Sequence, residues 1–410
     1  MTASSATRRV KWAGFLAIFV WGSLAGLLGA VLPALRERAG LTLADSGRVF
    51  IALSCGLVVS SLAVGPLIDR AGKRPVLIGA VMLVVAALLS FTAAHSLGLM
   101  LVLSFALGAG GSALVTAAHA LVADLNADHR AASLNLLDFF FGVGAFVTPF
   151  AIVPLQQQGG VDLVLYVLAG FAAIVLAYLL LQPFSAVHEA AGHSTAVGGG
   201  WRQLLTPAFM VPALLIFLYV GTEQSIWDWQ VTYSMQHLGL SQVDAARMLS
   251  VFPVAIMAGR AINTRVLLHV DAVTVLRVST IGALASFTVV MLASSPAVAT
   301  VALAAAGVCM ATVFPTTLGV ISARFASVSG TALGAAITCG WLGSVAISPG
   351  FGFVAHQHTF ARAYLLILAA AAAMVVVTML MARTQAAGRM PSPVVGAPGA
   401  GPDVLRKHEH

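Results

Sequence analysis

Apolar runs long enough to cross a bilayer follow one another along almost the whole chain, with short polar segments between them. A transmembrane helix needs about 20 consecutive, mainly apolar residues. The alternation typical of β-strands is absent, so helices rather than a barrel must satisfy the backbone hydrogen bonds. The pattern predicts twelve helices, at residues 13–35, 47–68, 75–95, 97–123, 131–155, 162–182, 207–235, 243–264, 273–295, 297–322, 330–355 and 359–382.

A polar segment near the middle divides the predicted helices into two groups of six. Residues 183–206 are rich in Gly, Ser and His, which predicts a cytoplasmic linker between an N-terminal half (1–182) and a C-terminal half (207–382). The tail, 383–410, is rich in Pro, Gly and Ala and is predicted to be disordered and cytoplasmic. Its two terminal histidines do not make a metal site, because a flexible end fixes no coordination geometry. The predicted class is an all-α membrane protein with twelve transmembrane helices in two pseudo-symmetric six-helix halves.

Composition and charge support a membrane protein without a separate soluble domain. Hydrophobic residues make up 60% of the chain and charged residues 9%, against roughly a quarter charged in soluble proteins. The net charge of +7 does not indicate nucleic acid, because the basic residues stand between apolar runs. With the N-terminus inside, fifteen Lys and Arg residues lie on the inner side and five on the outer side, as the positive-inside rule requires. We expect a monomer in the cell (inner) membrane, multi-pass, with both termini cytoplasmic.

The segment GPLIDRAGKRP, between predicted helices 2 and 3, combines glycines, an acid and basic residues. It resembles the signature loop of the major facilitator superfamily, G-x-x-x-D-R-x-G-[RK]-[RK], and all its fixed positions match: Gly65, Asp69, Arg70, Gly72, Lys73 and Arg74. A plain positive-inside loop is the alternative, but it would not require the glycines and the acid. Gly65 should allow close helix packing, and Gly72 a tight turn. Asp69 should accept a hydrogen bond at a helix end and pair with a nearby Arg. The resemblance implies the major facilitator fold and a cluster that holds one conformation.

Four further segments resemble the fucose permease-like branch, which includes proton-coupled and sodium-coupled sugar transporters. They are LNLLDFFFGVGAFVTP, YVGTEQSIWDWQVTY, the pair Gly259–Arg260 and ATVFPTTLGV. The chain departs from fucose permease, which places carboxylates on helices 1 and 4. Helix 1 has no acid here, and helix 4 carries His119 where relatives often have Asn. Helices 5 and 11 echo each other, as expected of two rocking halves, with Gly142, Gly144 and Pro149 in one and Gly340, Gly343 and Pro349 in the other.

Ionisable residues inside the predicted helices are the candidate site, because a charge at the bilayer centre costs about 2.5–3.5 kcal/mol on insertion scales. Tyr219, Glu223, Trp227 and Gln230 share one face of helix 7, which in this superfamily lines the central cavity. An aromatic ring beside hydrogen-bonding groups suits a sugar, and Glu223 is a candidate proton carrier. Alternatively, Glu223 is structural and caps a helix broken near Gly221. Asp228 is either an outer gate or interfacial.

A second group of polar residues lies on helices 4, 5 and 8. Asn135 and Asp138 share a face of helix 5, and Arg260 on helix 8 should lie at a similar depth. We predict an Asp138–Arg260 pair that closes the cytoplasmic side, breaks when the halves rock and weakens when Asp138 is protonated. The alternative is two residues satisfied within their own halves. His119 either relays a proton, since an unperturbed imidazole titrates near about pH 6.5, or is a neutral packing group.

These features predict a secondary active transporter that moves a small polar solute, with a sugar as first choice, by alternating access. Proton coupling is preferred, sodium coupling stays open, and no cofactor or resident metal is expected. A proton-driven efflux antiporter for drugs or metabolites is the first alternative. A non-transporting membrane sensor is the second. Direct use of ATP is not expected, because the GxxxxGK[ST] loop is absent from the sequence. An enzyme is not expected, because the predicted spans offer no nucleophile–base set and no metal-ligand cluster.

Overall fold

The computed structural model describes residues 3–184 and 200–388, and every regular element in these two stretches is helical. The predicted tail from 389 onward and most of the predicted linker lie outside the described residues. The helices, in chain order, are α1 (Ala3–Ala25), α2 (Leu27–Arg38), α3 (Leu43–Ala71), α4 (Lys73–Phe91), α5 (Leu97–Leu125), α6 (Arg130–Leu181), α7 (Gly200–Leu204), α8 (Pro207–Leu238), α9 (Gln242–Val266), α10 (Ala272–Leu292), α11 (Pro296–Met310), α12 (Val313–Arg324), α13 (Ser329–Gln357) and α14 (Phe360–Gly388).

The described helices account for the apolar pattern of a multi-pass membrane protein. They form ten spans that are long and apolar enough to cross a membrane, with α11 and α12 counted together as Pro296–Arg324, or eleven if the bent pair α1 and α2 is one span. The longest candidate, Ala127–Leu181, has 55 residues, about twice the length of one crossing. Gly159 and Gly160 inside it have non-helical backbone angles. The break separates the predicted spans 131–155 and 162–182, so each of the twelve predicted spans has a counterpart.

Two predicted helices are less regular than their hydropathy indicated. The first span, predicted as one helix over 13–35, bends by 46° between α1 and α2, at Gly26. Predicted helix 10 is divided into α11 and α12 at Ala311 and Thr312. Hydropathy averaged over a span does not register either interruption, because each break lies within a long, mainly apolar run.

The two halves repeat local structure at matching points. Thr42 and Asp45 form a capping box at the start of α3, and Ser241 and Asp244 repeat two of its contacts, hydroxyl to carboxylate and backbone N–H to hydroxyl, at the start of α9. In both cases an arginine three residues further on pairs with the aspartate. One-turn 3₁₀ helices, Ala127–His129 and Ala326–Val328, precede α6 and α13. These matches support an internal repeat, as in transporters built from two related halves.

The N-terminal half (3–184) and the C-terminal half (200–388) meet along three main helix pairs. These are α3 with α13, α6 with α9 and α6 with α12. One cluster of buried apolar residues lies mainly in the N-terminal half and extends onto α12 and α13, and a second lies within the C-terminal half. We name the end of the bundle that holds the loop 65–74 the motif side. The turns 126–129 and 325–328 lie at the same end.

Candidate functional site

On the motif side, the carboxylate of Asp69 joins the halves by capping the first turn of α13. Its Oδ1 accepts a hydrogen bond from Gly330 N at 2.8 Å, and its Oδ2 accepts from Thr331 N at 2.8 Å and Thr331 Oγ1 at 2.6 Å. The first N–H groups of a helix have no partner within it and carry partial positive charge, so a carboxylate suits them. The expected hydrogen bond at a helix end is therefore present.

The glycines of the loop motif have distinct geometric roles. A Cβ on Gly65 would lie 2.7 Å from Gly330 O and 2.9 Å from Thr331 Cα, so only glycine lets α3 approach α13 this closely. Gly72 separates α3 from α4 with φ of 86°, a conformation that L-residues rarely adopt. Both roles agree with the predicted packing and turn.

The basic residues of the motif bind within the N-terminal half. Lys73 pairs with Asp124 at 2.7 Å, and Arg74 donates to the carbonyl of Leu180 at 3.2 Å. Arg70 is exposed. None of the ion pairs between described residues joins Asp69 to an arginine, contrary to expectation. Both of its carboxylate oxygens instead accept hydrogen bonds from the N-terminus of α13.

Further hydrogen bonds between the two halves lie closer to the middle of the bundle than those of Asp69. Arg130 donates to the carbonyl of Ser322 at 3.2 Å. Asn135 Nδ2 donates to Thr316 Oγ1 at 2.9 Å. Ser61 and Thr338 share a hydrogen bond of 2.7 Å. These bonds and those of Asp69 lie in the motif-side part of their helices, so the described contacts close that side in this conformation.

A buried cluster of charged and titratable groups lies at the inner end of this closure. His119 Nε2 is 3.0 Å from Asp138 Oδ1, with side-chain exposures of 1% and 5%. Arg260 donates from Nη1 to the backbone carbonyl of Asp138 at 3.0 Å and from Nε to that of Ala311 at 3.4 Å. The cluster therefore joins α5 and α6 of the N-terminal half to α9 of the C-terminal half.

The predicted Asp138–Arg260 pair has a different form from the one expected. Arg260 does reach Asp138 across the halves, but through the main-chain carbonyl. The carboxylate instead faces His119 on the adjacent helix α5. The reason is orientation: the Asp138 side chain points toward α5, while its carbonyl points toward α9.

Glu223 and Tyr219 extend the cluster toward the middle of the bundle. Tyr219 is buried, and its ring lies 6.1 Å from that of Phe314. Its hydroxyl makes no hydrogen bond of standard geometry, yet it interacts electrostatically with Glu223 and Arg260. Glu223 lies deep in the protein but keeps some accessible surface. Glu223 therefore combines a position deep in the bundle with surface that a solute can reach.

The other predicted residues of this helix, now α8, separate into different environments. Trp227 is 43% exposed and meets Phe252 edge-on at 6.4 Å. Gln230 is buried and donates to Ser234 on its own helix at 3.1 Å, so it lies apart from Glu223. The helix runs unbroken through Gly221, which removes the alternative of a cap at a break there.

Asp228 belongs to a separate network that ties α8 to α13. It accepts hydrogen bonds from Gln224 Nε2 at 2.8 Å and from the Ser348 hydroxyl. The indole of Trp229 donates to the carbonyl of Ser348 at 2.9 Å. Asp228 is therefore held within the C-terminal half in this conformation.

Several residues of the site were not assigned from sequence, chiefly Phe314, Thr316, Thr331 and Asp124. Phe314 and Thr316 fall in ATVFPTTLGV, whose resemblance was noted without assigning its members. Single threonines and phenylalanines in an apolar helix carry no signal of their own, because both are common in membrane helices. Only the packing of helices against one another, between the halves for the first three residues and within the N-terminal half for Asp124, reveals them.

Comparison with known proteins agrees with this geometry. The family model described as Major Facilitator Superfamily matches residues 13–349. The chain belongs to the major facilitator superfamily. It is therefore a multi-pass membrane transporter for a small-molecule solute rather than an enzyme, as the sequence predicted.

Individual relatives transport different solutes. The mouse sodium-dependent glucose transporter 1A is 23% identical over 379 residues, 84% of this chain and 88% of that protein. The 4-hydroxybenzoate transporter PcaK of Pseudomonas aeruginosa is 33% identical over 175 residues, 41% of this chain and 37% of that protein. A crystal structure of the transporter FucP in the outward conformation has a TM-score of 0.75 at 20% identity, covering 90% of this chain and 98% of that one. The shared fold is established, and the solute is not fixed by these relatives.

Proposed function

We propose that the protein is a proton-coupled secondary active transporter of a small polar solute, with a sugar as the solute class. The observation that carries the proposal is Glu223, an acid deep in the bundle that keeps accessible surface. Tyr219 adjoins it, and Trp227 offers an exposed ring on the same helix. A carboxylate can accept hydrogen bonds from hydroxyl groups, and an indole can stack on the apolar face of a sugar ring. The glucose transport named for the mouse relative supports this class.

The orientation belongs to the same proposal. The protein lies in the cell (inner) membrane, and the bias of basic residues favours an orientation in which the motif side and both termini face the cytoplasm. The described conformation, with its motif side closed, is then open toward the outside, ready to load solute there. Solute binding followed by separation of the halves on the motif side would complete alternating access.

Uptake into proteoliposomes tests the proposal. The solute panel is D-glucose, L-fucose and 4-hydroxybenzoate, each offered under an imposed proton gradient, an imposed sodium gradient or neither. We expect accumulation of a sugar driven by the proton gradient alone. Accumulation driven only by sodium would contradict proton coupling, and accumulation of 4-hydroxybenzoate without either sugar would contradict the solute class.

A second candidate function is proton-driven efflux of an apolar compound. A cavity of about 270 Å³ between α1 and α6 favours it. Its lining is mainly apolar, with Thr148 and Gln156 as polar members: Gly22, Gly26, Ala30, Ala145, Thr148, Pro149, Ile152, Val153 and Gln156. Extrusion of a lipophilic cation from the same proteoliposomes, with no sugar uptake, would favour this function over the first.

A further inference from the structure

The His119–Asp138 pair holds one proton by its geometry. Nδ1 of His119 lies 2.7 Å from the carbonyl oxygen of Val115. A carbonyl only accepts, so Nδ1 carries a hydrogen and donates it. Nε2 faces Asp138 Oδ1 at 3.0 Å, in a contact bent away from ideal hydrogen-bond geometry. Two acceptors at that distance would repel, and one proton on either Nε2 or Oδ1 removes the repulsion.

Both positions of this proton leave the pair without net charge. The pair is either an imidazolium beside a carboxylate or a neutral imidazole beside a carboxylic acid. Asp138 Oδ2 is buried and has no hydrogen-bond partner among the described side chains and backbone, so no hydrogen bond to Oδ2 stabilises a bare carboxylate. With the charge of Arg260 balanced by an ionised Glu223, losing the proton would leave one uncompensated negative charge in the bundle, which is costly while water is excluded.

The charged and titratable groups facing the pair come from α8 and α9 and balance one another. They are Glu223 and Tyr219 from α8 and Arg260 from α9, all of which interact with Asp138 or with each other. The neighbouring helix α12 contributes Phe314 and the hydroxyl of Thr316. With Arg260 charged and Glu223 ionised, the whole cluster is neutral only when the pair keeps its proton.

The two residues of the pair belong to the N-terminal half, and the side chains that cover them belong to the C-terminal half. His119 and Asp138 lie on α5 and α6. The ring of Phe314, from α12, meets His119 edge-on at 5.8 Å. Arg260, from α9, holds the carbonyl of Asp138. Separating the halves on the motif side would remove both covering groups together.

We propose that His119 and Asp138 jointly hold the coupling proton, and that the C-terminal half covers it whenever the motif side is closed. This inference rests on the proposed proton-coupled transport and names the residues that perform it. When the halves separate on the motif side, the proton passes from the pair to water there, leaving a neutral imidazole and a carboxylate. When the motif side closes again, a proton entering from the opposite side through the region of Glu223 and Tyr219 restores the pair.

Transport assays with matched variants test the proposal in the full-length protein. The variants are His119→Gln and Asp138→Asn, and the controls are His95→Gln and Asp128→Asn at exposed loop positions. The solute is whichever of D-glucose and L-fucose the wild-type protein accumulates. One pH unit supports about tenfold accumulation for one coupled proton. We expect about tenfold in wild type and controls, no accumulation in either variant, and counterflow exchange retained in both variants, because exchange needs no net proton movement.

The outcomes separate this inference from the proposed function. If wild type accumulates neither sugar with a proton gradient, the proposed function fails. If wild type accumulates a sugar and either variant does so within twofold of it, the proton lies elsewhere and the inference is wrong.

A solute-free measurement covers the case in which a variant does not fold. Nitrogen NMR of ¹⁵N-histidine-labelled protein in nanodiscs reports which ring nitrogen carries hydrogen. We expect His119 to keep its Nδ1 hydrogen and its ring-nitrogen shifts to stay constant through about pH 6.5, the unperturbed pKa of a solvated imidazole. Phe314→Ala should make His119 respond, while Phe353→Ala, at an exposed position of α13, should not. Ring-nitrogen shifts of wild-type His119 that change around pH 6.5 would overturn the inference.

Discussion

At the scale of single residues, the interruptions of the apolar pattern located the cluster, but not its connections. Asp138, His119, Arg260, Glu223 and Tyr219 all lie close to the junction of the halves. Their partners depend on how helices from different halves rotate against each other, and local periodicity does not encode that rotation. The sequence therefore brought Arg260 to Asp138 but could not distinguish the carboxylate from the carbonyl.

Substitution of Glu223 tests the proposed solute site at the scale of a single residue. Replacing it by Gln removes a charged acceptor, and hydrogen bonds to charged groups contribute about 1.5–3 kcal/mol. We expect about a tenfold to hundredfold loss of apparent affinity for the transported solute, measured as the KM of uptake.

Glu37→Gln is the matched control, because Glu37 is exposed at the end of α2. It should leave KM unchanged. A Glu223→Gln protein with wild-type KM would remove Glu223 from the solute site.

At the scale of helices, most of the architecture followed from hydropathy. Span positions depend on the length of apolar runs, which the bilayer thickness dictates. The bend at Gly26 and the division of predicted helix 10 were not predictable in this way, since both occur inside apolar sequence. The close contact of α3 and α13 was partly predictable, because the loop motif required a glycine at position 65.

The contact between α3 and α13 makes Gly65 sensitive to a single methyl group. A Cβ at Gly65 would meet backbone atoms of α13, which cannot move aside as a flexible side chain can. We expect Gly65→Ala to shift the protein away from the conformation closed on the motif side, measured as faster labelling of cysteines introduced on that side.

Gly79→Ala is its control, because a Cβ there has no neighbour within 4 Å. The added methyl should leave labelling unchanged and raise helix stability by about 0.5–1 kcal/mol. Equal labelling rates in both variants would show that the α3–α13 contact does not hold the closed state.

A second prediction at the scale of helices concerns the cap that Asp69 forms on α13. Asp69→Asn replaces one carboxylate oxygen by an amide donor that faces N–H groups. Losing a helix cap costs about 0.5–2 kcal/mol, so the closed-to-open ratio on the motif side should fall by about twofold to thirtyfold.

The same labelling assay measures this ratio, with Asp128→Asn as control at an exposed position of the same side. A ratio that is unchanged by Asp69→Asn would mean that the cap contributes nothing to closure.

At the scale of the whole molecule, polar contacts join the two halves on the motif side, and we propose that these contacts break during transport. The repeat was visible in sequence through the glycines and prolines of predicted helices 5 and 11. The matching capping sequences at 42–48 and 241–247 strengthen it. The conformation itself was not predictable, because one sequence must support both closures of an alternating-access cycle and so favours neither strongly.

Spin-label distances in the full-length protein in nanodiscs test the central claim most directly. One label pair replaces His129 and His269 on the motif side, and another replaces His95 and Ser294 on the opposite side, all at exposed positions. We predict that adding the transported solute lengthens the distance between the motif-side labels and shortens the distance between the labels on the opposite side. Distances that stay constant, or that change in the same direction at both ends, would contradict alternating access by rocking halves.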